Sequence, residues 1–234
     1  NNLNILNIRR NQDFSVDIAE ITQAANSGAK LIFLANPNNP DGSMLSKNDL
    51  DHILDLPLLV VIDEAYIEFA PKGSSLYREV LTRDNLIVLR TFSKFGGLAG
   101  LRLGYGFFPE ILLQQLMKIK QPYNVSVAAS EAGIGALEDI ELLNLRVDWI
   151  LAERSRLFSA LEDFEWISPY PTQSNFILCR IQGRDAAELQ TNLAKQGILI
   201  RYFRKKGLED HVRFSVGKPE DIDKLLSALK ELAK

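Results

Sequence analysis

At 234 residues, with 46% hydrophobic and 24% charged side chains, the chain is long enough for one large domain, or for a large domain with a smaller companion, and has an ordinary soluble globular composition. Its net charge of −3 supplies no basic field to draw nucleic acid or an anionic membrane surface, and apolar runs such as 58–62 are far too short to span a bilayer. The single cysteine, Cys179, leaves no internal disulfide framework and suits a reducing compartment. No signal-peptide pattern is read at the start, so the expected location is the cytoplasm.

In chain order, a helix is expected from Asp17 to Asn26 with a stop at Gly28. Three runs rich in branched aliphatics follow at 31–35, 58–62 and 86–90, apolar throughout, which reads as strands covered on both faces. Between the first two lies a helix from Lys47 to Leu54, opened by Ser46 as its cap. Strand alternating with helix means a mostly parallel α/β sheet. Residues 103–108 suggest a further strand, and a helix runs from Pro109 to about Lys120. From Ser126 to Phe164 the period is helical, with a break near Glu138 and Asp139. After Pro169 and Pro171, strands at 175–181, 198–203 and 212–216 flank helices at 185–196 and 219–233, an α+β pattern. The expected domains are therefore 1–150 and 151–234. Cys179, inside an apolar run, reads as a buried strand residue. A parallel strand at 31–35 leaves few residues to cover its faces and edge. The sequence thus reads as though its natural beginning were missing.

Three polar clusters stand at the carboxyl ends of the three strands, where open α/β sheets bind ligands. They are 36–42 (NPNNPDG), 63–66 (DEAY) and 91–94 (TFSK). Each has an ordinary explanation alone: a turn, a capping aspartate, a solvated lysine. Together they match what an aromatic aldehyde cofactor with a pyridinium nitrogen and a phosphate requires. Lys94 offers the Schiff-base amine, and Asp63 a carboxylate for the ring nitrogen. Asn39 and Tyr66 can serve the ring oxygen, and Thr91, Ser93 and Arg102 the phosphate. Glycines at 96, 97 and 100 let the chain turn tightly past such a ligand.

On the segments 36–42, 60–69 (VVIDEAYIEF) and 86–107 (LIVLRTFSKFGGLAGLRLGYGF), the chain resembles the fold-type I pyridoxal 5′-phosphate (PLP) aminotransferases, above all their histidinol-phosphate branch. The segments 171–180, 197–203 and 212–221 extend the resemblance to nearly the whole chain. It implies a PLP-binding large domain over 1–150, incomplete here, and a small α+β domain over 151–234. It implies Lys94 as covalent anchor and proton shuttle, Asp63 on the pyridine nitrogen, Asn39 and Tyr66 at the ring hydroxyl, and Thr91, Ser93 and Arg102 near the phosphate. Arg213 matches the arginine that grips the substrate's anionic group, and Arg201 a second basic residue used with phosphorylated substrates. Asp41 stands where the family commonly has Thr. The family's phosphate-cradling glycine loop and its ring-stacking aromatic are expected upstream of residue 1.

The implied reaction is transamination of histidinol phosphate with 2-oxoglutarate, in a homodimer, with no metal. A phosphothreonine decarboxylase-like or aromatic- or aspartate-type relative shares the fold; Tyr66 leans toward the transaminases, because the decarboxylating members tend to carry Phe there. A phosphate-binding α/β module without catalysis, and a truncated fragment whose motifs no longer act, stand as alternatives. Tyr105 and Tyr123 are expected to be packing residues.

Overall fold

The computed structural model describes residues 3–233. The chain divides into two compact units, one of residues 1–38 with 43–140, the other of 39–42 with 141–234. The division falls at the start of a long helix rather than near residue 150, and the short turn 39–42 counts with the second unit.

In the first unit, helix α1 (Ile18–Asn26) begins where the Asp17 carboxylate accepts the Glu20 N–H, and it ends before Gly28, whose φ of +101° favours glycine. Strand β1 (Leu31–Ala35) follows, then α2 (Lys47–Leu54), capped by Ser46 on the Asp49 N–H. Strands β2 (Leu59–Asp63), β3 (Leu86–Thr91) and β4 (Gly104–Phe107) complete a sheet of order β1-β2-β3-β4. β1, β2 and β3 are parallel, and β4 runs antiparallel to β3. Alternation along the strands directs Val60, Ile62, Leu86 and Val88 into a core with Ile21, Leu50, Ile53 and Leu54 from α1 and α2. Val61 and Ile87, one residue out of step, are buried on the opposite face. Both faces of β2 and β3 are covered, as expected. β1 departs from that expectation. As the sheet's edge strand it leaves Leu31 41% and Phe33 68% exposed on one face.

Helices α3 (Glu110–Ile119) and α4 (Val127–Glu138) follow, and the helical period breaks at Asp139, where α5 (Ile140–Glu162) starts. In the second unit, β5 (Ile167–Pro169), β6 (Phe176–Ile181), β7 (Arg201–Tyr202) and β8 (His211–Ser215) form an antiparallel sheet of order β5-β6-β8-β7. Its inward residues, Ile177, Cys179, Val212 and Phe214, pack with Leu157 and Leu161 of α5, Leu193 of α6 (Ala186–Lys195) and Ile222 and Leu229 of α7 (Pro219–Leu232). Cys179 is fully buried, and burial pushes its thiol far above the ordinary range, so it is an inert packing residue.

Candidate active site

The parallel order of β1, β2 and β3 brings their carboxyl ends to one edge, where residues 36–38, 63–66 and 91–94 of the first unit sit. Asp63 closes β2 with an exposed side chain; its Oδ1 accepts the Ala65 N–H at 3.0 Å, which fixes the carboxylate outside the strand. Tyr66, 9% exposed, lies under the amine of Lys94, whose Nζ stands 5.4 Å from the ring centroid, a cation–π distance. Thr91 closes β3. Its Oγ1 accepts the Ser93 N–H at 3.0 Å and lies 2.8 Å from the Ser93 hydroxyl, so both hydroxyls gather just before Lys94. Directly after Lys94 the chain turns back, with the Gly97 N–H donating to the Lys94 carbonyl at 3.3 Å. Gly97 has a φ of +68°, a conformation that costs glycine little and other residues more. Arg102 sits at φ +53° and ψ +37° with an exposed guanidinium that donates to the Ala99 carbonyl at 3.0 Å. A left-handed arginine is uncommon, and such conformations gather at ligand clamps.

The sequence gives no warning of the neighbour of Asp63. Glu64 is fully buried, bonded to the Ser75 hydroxyl, the Leu76 N–H and Arg90. These partners come from the loop before β3 and from β3 itself, and no local pattern marks them.

The remaining candidates lie in the second unit. Arg213, on β8, donates from Nη1 to the Asn39 Oδ1 at 2.7 Å, and its guanidinium carbon lies 4.5 Å from the Phe176 ring centroid. The turn that carries Asn39 is held where the Gln173 N–H donates to the Gly42 carbonyl at 2.8 Å. Gly42 is packed so closely that an added Cβ would stand 1.8 Å from the Thr172 hydroxyl oxygen, and its φ is +79°. Arg201, on β7, is the register partner of Arg213. Directly opposite residues put their side chains on one face within about 5.5 Å at Cβ, where like charges repel. Two facing arginines therefore form a locus that favours an anion.

On β8 His211 is buried, with Nδ1 2.6 Å from Asp210 Oδ1 and Nε2 3.1 Å from the Tyr170 hydroxyl. Burial lowers its pKa from the ordinary histidine value, against the pull of Asp210. Of the two tyrosines expected to pack, Tyr105 does so, its ring 5.7 Å from those of Phe92 and Phe107. Tyr123 does not. It is 96% exposed, at a φ of +61° in the loop between α3 and α4.

Polar side chains gathered at the carboxyl ends of parallel strands mark the edge where open α/β sheets bind ligands. The sequence model of the family Aminotransferase class I and II matches residues 3–229, and the chain belongs to that family. The chain is 48% identical over 233 residues to the histidinol-phosphate aminotransferase of Roseiflexus castenholzii, covering 98% of this chain and 62% of that enzyme. Among solved structures, the histidinol-phosphate aminotransferase of Clostridium acetobutylicum superposes with a TM-score of 0.88 at 30% identity, over 95% of this chain and 69% of that one. The Sinorhizobium meliloti histidinol-phosphate aminotransferase, solved in complex with pyridoxal-5′-phosphate, gives a TM-score of 0.86 at 30% identity, over 97% of this chain and 64% of its own. The chain thus spans about six-tenths of the length of the curated relatives it matches.

Proposed function

We propose that this chain is the part of a PLP-dependent aminotransferase that anchors the cofactor through Lys94 and binds a phosphorylated amino donor, histidinol phosphate, with 2-oxoglutarate as amino acceptor. The observation that carries it is the Lys94 amine held 5.4 Å over the Tyr66 ring, at the sheet edge where β2 ends in Asp63 and β3 in Thr91. The donor set fits PLP. Asp63 is an exposed carboxylate able to pair with a ring N–H⁺ in a charge-assisted bond. The Thr91 and Ser93 hydroxyls and the Arg102 guanidinium suit a phosphate, and Asn39 and Tyr66 offer groups for a ring oxygen.

When bound, PLP supplies an electron sink that stabilises negative charge at the substrate's α-carbon. The chain's own residues do the rest. Asp63 keeps the ring nitrogen protonated. Lys94 would act at its Nζ as the general base that accepts the proton from the substrate's α-carbon and as the acid that gives it back. Arg213 presents a planar fork to the donor's anionic group, and Arg201, its register partner, adds a second cation. Two cations suit a dianionic phosphate better than a single carboxylate.

A homodimer in the cytoplasm is the expected working form. Supporting the dimer, α3 buries none of its residues and exposes Ile111, Leu113, Leu116, Met117 and Ile119. Among the described residues no helix is long and apolar enough to cross a membrane.

The substrate is tested by offering histidinol phosphate, aspartate, phenylalanine and phosphothreonine to the PLP-loaded protein. Glutamate formed from 2-oxoglutarate with histidinol phosphate preferred is the expected result. Preference for aspartate or phenylalanine, or CO₂ released from phosphothreonine, would overturn the substrate assignment.

A further inference from the structure

The buried cluster around Glu64 has no part in the roles assigned above. Its carboxylate accepts the Leu76 N–H at 2.7 Å on Oε1, and on Oε2 the Ser75 hydroxyl at 2.5 Å and Arg90 Nε at 3.0 Å. Arg90 Nη1 stands 3.6 Å from Glu68 Oε1, and the Arg90 guanidinium carbon lies 5.6 Å from the Tyr77 ring centroid. Tyr105, on β4, is the register partner of Arg90. The other charged group nearby, Arg78, is turned to the Tyr77 hydroxyl at 2.9 Å. Burial chiefly raises the pKa of Glu68, and of the two carboxylates Glu64 is the nearer to Arg90, at 3.0 Å against 3.6 Å.

A buried ion pair is a weak source of net stability, because desolvation offsets most of the attraction and well-packed apolar residues often do as well. The position of this one is more telling. Glu64 follows Asp63, Glu68 lies two residues after Tyr66, and Arg90 precedes Thr91. Successive residues of a strand face opposite ways, so a clamp on Glu64 and Arg90 grips the backbone whose other side presents Asp63 and Thr91. Backbone bonds tighten the same junction: the Glu64 N–H donates to the Leu89 carbonyl at 2.8 Å, and the Glu64 carbonyl accepts the Ile67 N–H at 3.1 Å.

We propose that Glu64, acting through Arg90, is a positioning residue that sets the carboxylate of Asp63 and the hydroxyl of Thr91 for the cofactor. The inference rests on the reading that this site holds PLP. It is tested with Glu64→Gln against Leu54→Ala, a cavity variant in the core of the same unit, measuring PLP affinity, the pH midpoint of the bound cofactor's visible absorbance, and the melting temperature without cofactor. Glu64→Gln should bind PLP about tenfold more weakly, the lower end of what losing an orienting partner costs at a bound group. Its absorbance midpoint should move to lower pH, because Arg90 is then left less compensated. Leu54→Ala should melt lower yet keep the parent's affinity and midpoint. If Glu64→Gln proves unable to fold, Arg90→Lys keeps the charge, removes the Nε contact and should show the same loss of affinity. A folded Glu64→Gln that matches the parent in affinity and midpoint overturns the positioning role, as does an equal loss in Leu54→Ala. A parent that stays colourless with PLP overturns the cofactor reading itself, a failure distinct from either.

Discussion

Arg213 and Arg201 face each other across β8 and β7, and a pair of cations in register gains by binding an anion between them. Hydrogen bonds to charged groups are worth about 1.5–3 kcal/mol, so Arg213→Lys, which loses the fork, should raise KM for the phosphorylated donor roughly 10- to 100-fold. Steady-state kinetics with histidinol phosphate checks this; an unchanged KM would remove Arg213 from the donor site. His211, two residues earlier, carries a pH dependence. Its folded pKa lies below its unfolded value of about 6.5, so the unfolded state binds more protons just below that pH. Stability should therefore be complete above about pH 6.5 and fall as the pH drops toward the folded pKa. Denaturant titrations over pH 5 to 8 should show this slope, and His211→Gln should flatten it. At this scale, the clusters that carry Asp63 and Lys94 stand out in the sequence because each follows an apolar run, whereas Arg213, inside β8, is singled out only by the family resemblance. The contacts of Glu64 do not stand out, because its partners Ser75, Leu76 and Arg90 lie 11, 12 and 26 residues away.

Among the elements, the turn 39–42 is the most exacting. Gly42 combines a φ of +79° with a Cβ position overlapping Thr172, so Gly42→Ala should cost about 1–3 kcal/mol of stability and shift the turn that carries Asn39. Thermal unfolding and PLP affinity would both register it; a variant equal to the parent in both would show that the turn adapts. Helices α1 and α2 could be read from their caps, Asp17 and Ser46, because cap chemistry is local. The direction of β4 could not be read from its own residues. The 12 residues between β3 and β4 hold only one short 3-10 turn, Ala99–Leu101, too little for the helical crossover a parallel strand needs, and β4 runs antiparallel. β5, three residues ending in proline, and β7, two residues within the expected 198–203, are set by pairing with β6 and β8 rather than by propensity.

Across the whole molecule, the uncovered face of β1 follows from how few residues precede it, whereas the exposed apolar residues of α3 are a feature that composition could not reveal, since burial depends on what packs beside a segment. If α3 serves the proposed dimer, light scattering should give twice the chain mass, and Ile111→Asp with Met117→Asp should lower it to the single-chain value. A monomeric parent would remove the dimer from the account. The central claim is that Lys94 holds PLP, and borohydride reduction of the PLP-treated protein followed by peptide mapping tests it most directly. The protein should absorb in the visible and carry the reduced cofactor on Lys94, while Lys94→Ala stays colourless. A colourless parent, or a Lys94→Ala variant with the parent's spectrum, would contradict it.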